Sequence, residues 1–205
     1  TSSDACKCQV NTYGPHGPLN GLVGMFGLNG DIDDEVGTAS IQMYSGTATF
    51  AQDADRGQVL DNGATQMYIE STVLSDALDQ DAWSISLWFK ASSWTTFLHI
   101  ANRYDITTGA NGQRGGVSFG LLNTGKFYLQ RQREGGNYWI NCQGSTTITA
   151  NTWYHVVAIS EPRNLKVYLN GNVGTADCDV SSTTDWAHTQ LDLPLKIGLG
   201  LFCTG

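Results

Sequence analysis

Three groups of side chains in this 205-residue sequence have the types and spacing to do chemistry. The first is acidic. Asp31-Ile32-Asp33-Asp34-Glu35 crowds four carboxylates into five positions, and calcium takes several oxygen ligands, partly from backbone carbonyls. Asp31, Asp33 and Asp34 are candidate Ca²⁺ ligands, with Asp105 a lone ligand from a later loop, though the run lacks EF-hand spacing. A solvated acidic turn is the competing reading. The second group is aromatic and polar. Rings stack on sugar faces, and amides or guanidinium groups hydrogen-bond to hydroxyls. On that chemistry Tyr128, Gln130, Arg131, Arg133 and Tyr138 are candidate ligand-binding residues, beside Gln132, Asn137 and Trp139. A strand whose polar face is merely in water competes with it. The loop Ile106–Gly115 is a second recognition candidate, because such loops commonly carry function. The third group is the five cysteines, Cys6, Cys8, Cys142, Cys178 and Cys203.

None of the cysteines forms a C-x-x-C pair of the kind that binds zinc or cycles redox state. Cys6 and Cys8, if extended, point to opposite sides of the chain and need different partners. Cys142 with Cys178 is the preferred bridge, which leaves Cys203 to meet Cys6 or Cys8. The odd count leaves one thiol free or joined to another chain.

Catalysis finds little to work with. Glu35, Glu70, Glu134 and Glu161 have no acid/base spacing, and Asp76, Asp79 and Asp81 fall in a turn before a strand, where they serve as punctuation. His16, His99, His155 and His188 are scattered, with no HExxH motif and no nucleophile elbow. His155 lies on the apolar side of its strand and reads as a core histidine.

Bulk composition narrows the classes further. The net charge is −8, from 11 basic and 19 acidic residues, and no Lys/Arg cluster offers counterion release to nucleic acid. No apolar run reaches the roughly 18 residues of a membrane helix. Cysteines in a Gly-, Thr- and Asn-rich acidic chain point to an oxidising, extracellular compartment. The start at Thr1 without a signal segment reads as a mature or excised piece.

The elements that must position these residues are strands. Ser84–Lys90 alternates, with Ile85, Leu87 and Phe89 on one face. Lys126–Gln132 and Asn137–Gln143 flank Arg133-Glu134-Gly135-Gly136 and read as a hairpin, with Phe127, Leu129 and Trp139 facing one way. Trp153–Ile159 places Trp153, His155, Val157 and Ile159 together on the inner side, and Trp83 and Trp88 are assigned to the core with Trp153. Leu165–Leu169 meets Asn170-Gly171, a dipeptide suited to a type I′ hairpin turn. Leu193–Leu199 is the last strand. No amphipathic helical stripe is sustained, so helix is minor. The expected fold is all-β, a two-layer antiparallel β-sandwich of jelly-roll type. Residues 1–20 form an irregular, cysteine-containing lead-in, and 21–205 the sandwich.

The order of segments resembles the laminin-G-like, or pentraxin-like, domain of the concanavalin A-like lectin/glucanase group. Leu22–Gly30 with Asp31–Gly37 is similar to that family's opening strand and acidic loop, and Trp83–Lys90 to its F-T-I-S-x-W-V-K strand. Gly116–Leu121 with Gly125–Tyr128 resembles G-Y-S-L-G-L…G-K-L-Y. In Asn151–Asn172, T-W-Y-H-V-V-A-I, a turn and L-K-V-Y-L-N-G-N follow the family's strand–turn–strand closely. The resemblance covers about 22–200 and raises the expectation of calcium. The pentraxin-type calcium site is discounted, because Gly198–Gly205 offers no acids. The E-x-D-x-x-E carboxylates of the group's hydrolases are also missing. The family's closing strand has no counterpart after Leu201, which would expose an edge beside Leu193–Leu199; proteins rarely leave such an edge bare, so the N-terminal segment or a neighbouring chain is expected to fill it, or the fragment has been cut.

Three functions follow as expectations. The leading one is a non-catalytic extracellular recognition or adhesion module for glycan or protein, calcium-assisted. A structural subunit that self-assembles by strand donation and disulfides is the first alternative. A polysaccharide hydrolase or lyase is the second. Nucleic acid and membrane insertion are excluded.

Overall fold

A computed structural model describes residues 21–35, 42–45, 47, 49–61, 68–103, 116–132, 139–171, 176–183, 185–186 and 195–200. The alternating segments form strands because their period-two pattern gives each a face to bury. In chain order they are β1 (Gln42–Ser45), β2 (Phe50–Asp53), β3 (Gly57–Leu60), β4 (Tyr68–Ser71) and β5 (Trp83–Phe89). Then come β6 (Leu98–Arg103), β7 (Val117–Leu121), β8 (Phe127–Gln132), β9 (Trp139–Gln143) and β10 (Tyr154–Glu161). The last three are β11 (Asn164–Leu169), β12 (Cys178–Ser181) and β13 (Leu195–Gly200). One short helix, α1 (Thr72–Ala77), interrupts them; the Ser71 side chain caps it by accepting the Leu74 N–H.

Seven strands make the larger sheet in the order β1-β4-β13-β6-β7-β8-β9, and four make the smaller, β12-β11-β10-β5. The hairpin β2–β3 stands apart as a two-stranded ribbon. Every pairing is antiparallel. The two main sheets pack face to face as a jelly-roll sandwich. Val117, Phe119, Leu121, Phe127 and Leu129 of one meet Phe89, Val156, Ala158, Leu165 and Val167 of the other in one buried cluster. A disulfide between Cys142 on β9 and Cys178 on β12, the preferred pairing, crosses between the layers. Cys6, Cys8 and Cys203 lie outside the described residues.

Two buried guanidinium groups lock the turn after α1 to this core. Arg131 on β8 is 1% exposed. It donates to Ser160 Oγ at 2.7 Å and to the carbonyl of Gln80 at 3.1 Å, between the rings of Trp83 and Trp186. Burial pushes its pKa down to about 10. Arg103 on β6 donates to the Ser75 carbonyl at 2.6 Å and pairs with Asp79. The turn acids thus do more than punctuate: Asp79 is an anchor, and Asp76 lies within α1.

The structure corrects five expectations. On β10 the inner residues are Val156, Ala158 and Ser160, while Val157, Ile159 and His155 point outward and are half-buried. Both parities of that strand are apolar enough to fill a core, and the smaller set fits where Arg131 crosses to Ser160. Trp88 is 49% exposed, and Trp153 is half-buried outside the core. Asn170 and Gly171 both take positive φ (52° and 63°) but end β11 without closing a two-residue hairpin. The tight turn is Pro162-Arg163, between β10 and β11. Finally, β13 is not bare. It pairs with β4 on one side and β6 on the other, which removes the reason given for strand donation there. The expected opening strand is, among the described residues, only an isolated bridge from Phe26 to Asp34.

Candidate functional site

The larger sheet turns its second face away from the core, and period-two alternation decides what that face carries. From β8 it receives Tyr128, Gln130 and Gln132, since Phe127, Leu129 and Arg131 point inward. The register sets Gln143 beside Tyr128, Asn141 beside Gln130 and Trp139 beside Gln132. On the other flank, Ser118 and Gly120 of β7 face Asn102 and His99 of β6. Gly120 is required: a Cβ there would lie 2.0 Å from the Leu98 carbonyl oxygen, where β6 bulges toward β7. At the head of β6, Phe97 is 43% exposed, its ring edge-on to Tyr128 with centroids 6.2 Å apart.

Two zones result. Asn102, Ser118, Tyr128 and Gln132 are buried. Tyr128 OH, Ser118 Oγ and His99 Nδ1 form a triangle of hydrogen bonds at 2.8, 3.0 and 3.1 Å. Burial lowers the His99 pKa from its ordinary 6.5 and keeps the ring neutral at neutral pH. Asn102 Oδ1, on a residue between Ser118 and Lys196 in the register, has no hydrogen-bond partner among the described residues. Phe97, Asn141 and Gln143 are exposed, and Gln130 is half-buried. Among the residues whose burial is described, the reachable part of the face therefore includes the Phe97 ring and three amides, with His99 and Trp139 half-buried beside them. That set can stack on an apolar ring face and exchange hydrogen bonds with hydroxyls, and none of its members carries a charge.

The family model described as the concanavalin A-like lectin/glucanases superfamily matches residues 61–198. The chain belongs to that superfamily. No curated protein matches the sequence. Among solved structures it is similar to domain 4 of AbnA, an extracellular GH43 arabinanase of Geobacillus stearothermophilus, determined with arabinotriose. Identity is 18% and TM-score 0.58, over 85% of this chain and 81% of that one. A carbohydrate esterase of the Shiga toxin-encoding bacteriophage phi24B aligns with 13% identity and TM-score 0.51, over 86% and 94%. The carbohydrate-binding module CBM40 of a Ruminococcus gnavus sialidase aligns with 10% identity and TM-score 0.50, over 62% and 68%.

Within this lectin/glucanase sandwich the residues proposed from sequence scatter. Gln130 lies on the outer face as required. Tyr128 shares that face but is 1% exposed, so it supports Phe97 and His99 and offers no surface ring. Arg131, one residue further along the strand, points into the core and is corrected from ligand contact to structural anchor. Arg133, Tyr138 and the loop 106–115 lie outside the described residues, as does Asp105. Trp139 turns to the outer face, opposite to its expected side.

Asp34 Oδ1 accepts the Met25 N–H at 2.9 Å, Asp31 Oδ1 accepts the Asp33 N–H at 3.2 Å, and both hold local backbone. Among the described residues no three His, Cys, Asp or Glu side chains converge to hold a metal ion. His155 is not a core histidine: its Nε2 lies 2.8 Å from Ser86 Oγ, and its ring packs against Trp88. Sequence reading missed Phe97, Asn141 and Gln143. The last two were marked by their alternation with Ile140 and Cys142, which face the core.

Proposed function

We propose that this chain is a non-catalytic, extracellular glycan-binding module that takes a neutral oligosaccharide on the outer face of its larger sheet. One observation carries the reading: an exposed ring, Phe97, shares one sheet face with the uncharged amides of Gln130, Asn141 and Gln143. Apolar sugar faces stack on such rings, and amides both donate to and accept from hydroxyls without the desolvation cost of a buried charge. The carbohydrate-binding modules of similar fold support the same class of ligand. No helix among the described residues is long and apolar enough to cross a membrane.

The test is a panel of neutral oligosaccharides titrated calorimetrically into wild type, Phe97→Ala and Gln130→Ala. A ligand should emerge whose affinity falls about tenfold in each variant, equivalent to about 1.4 kcal/mol. A ligand bound equally well by all three overturns the placement. Cleavage of the oligosaccharide during the titration favours the hydrolase reading.

A further inference from the structure

The smaller sheet also has an outer face, and nothing in the preceding reading uses it. Trp88, with Phe97 the other large exposed hydrophobic side chain among the described residues, stands there beside His155, its cross-strand partner, with ring centroids 5.0 Å apart. The β2–β3 hairpin lies over this face and is fastened by Asp53 at the end of β2. That carboxylate pairs with Lys90, accepts the Trp153 indole N–H at 3.0 Å, and accepts the backbone N–H groups of Asp55 and Arg56. The turn so fixed delivers Arg56 onto Trp88, with the guanidinium carbon 3.3 Å from the ring centroid.

Arg56 differs from the other arginines placed in the structure. Arg103 and Arg131 spend their donors on buried carbonyls, hydroxyls and Asp79, and Arg163 is held by Asp185. The exposed Arg56 guanidinium forms no ion pair and donates no side-chain hydrogen bond among the described residues. Lys90, which also lies beside this face, is already matched by Asp53. The Trp88 ring, with the Trp153 ring centroid 5.4 Å from the same carbon, holds the group in place and leaves its N–H donors unspent among the described residues. Five donors in a fixed plane match a carboxylate bidentately, and a pre-placed fork loses less rotamer entropy on binding than a free one. Fastening alone does not require this residue, since Asp53 already holds the turn.

We infer that Arg56, stacked on Trp88 beside His155, forms a second binding site for a carboxylate-bearing sugar, on the opposite side of the sandwich from Phe97. It is independent of the first site, because the whole thickness of the sandwich separates the two faces. The partner class follows from charge: one unspent guanidinium on an aromatic platform, against the uncharged amides of the other face. The protein's net charge of −8 opposes the approach of any anion, so the contact is short-ranged and depends on the fork.

The experiment titrates the full chain with an oligogalacturonate and with the same oligosaccharide after reduction of its carboxyl groups. Wild type should bind the acidic form at least about tenfold more tightly than the reduced one. Arg56→Ala should abolish that preference, and Arg56→Lys, which keeps charge and stem but not the fork, should lose most of it. Arg163→Ala, an exposed arginine already paired elsewhere, should leave it intact, and circular dichroism checks that every variant is folded. Equal affinity for the two sugars in wild type, no binding of the acidic form at millimolar concentration, or an unaltered preference in folded Arg56→Ala each overturns the proposal.

Discussion

Asp53 shows how one residue gathers several consequences. Its pKa is lowered from 3.8 to about 2, first by the Lys90 hydrogen bond, with the Asp55 N–H and Trp153 indole adding to it while burial works the other way. The native state therefore prefers the carboxylate more than the unfolded chain does. The stability it contributes is present above about pH 3.8 and is lost as pH falls toward about 2. His99 acts in a higher range. Its pKa is lowered by burial, so the unfolded chain takes up the proton first and stability begins to fall below about 6.5. Thermal midpoints recorded from neutral pH down to pH 2 should show both declines, and Asp53→Asn should flatten only the lower one. Equal slopes below pH 4 in the two proteins would show that Asp53 is not the group responsible. At this scale the sequence was partly legible. Strand alternation was available to separate Gln130 from its neighbour Arg131, because a strand cannot send adjacent side chains to one face, but it was not applied to them. Chemical type alone had put them in one site, since a buried arginine and a binding arginine look identical until the carbonyls around it are known. The stack of Arg56 on Trp88 joins residues 32 positions apart and left no local mark.

Among the elements, β10 is where inference from pattern failed and where the packing is most testable. Its neighbours β5 and β11 cover both edges, so its inner face is set by what lies opposite, not by its own hydrophobicity. Ala158 is fully buried between Ile85 and Val167 in the register, and Ser160 receives Arg131. Enlarging Ala158 to Leu forces extra methylenes into a filled layer and should cost about 1–3 kcal/mol. Val157→Thr, on the outward side, should cost well under about 1 kcal/mol. Urea melts of the two variants provide the check, and the reverse ranking would restore the inward placement of Val157. Strand boundaries were otherwise readable to within one or two residues for β5, β8 and β13, because polar turns punctuate them. The hairpin β2–β3 and helix α1 were not foreseen. Their stretches are short, and what holds them is distant: Lys90 and Trp153 for the hairpin, Arg103 and Arg131 for the turn after the helix.

For the whole molecule, the question is what keeps two sheets together if both outer faces serve the recognition proposed for them. The core cluster supplies most of it, and the Cys142–Cys178 disulfide adds a covalent tie between β9 and β12, an edge strand from each sheet. Their sequence separation of 36 makes the closed loop moderately long. Chain-entropy arguments then assign the bond about 3–4 kcal/mol, mainly by restricting the unfolded state. Neither outer face contains the cystine: Cys142 points inward, while its neighbours Asn141 and Gln143 point out. Replacing both cysteines by alanine should therefore lower the thermal midpoint by roughly 10 °C for a domain of this size. Affinities at the Phe97 and Arg56 sites, measured well below the new midpoint, should stay as they were. A loss of affinity without unfolding would mean that the staple positions the strands of a binding face, and that the rigidity of the sandwich does not come from its packed core alone.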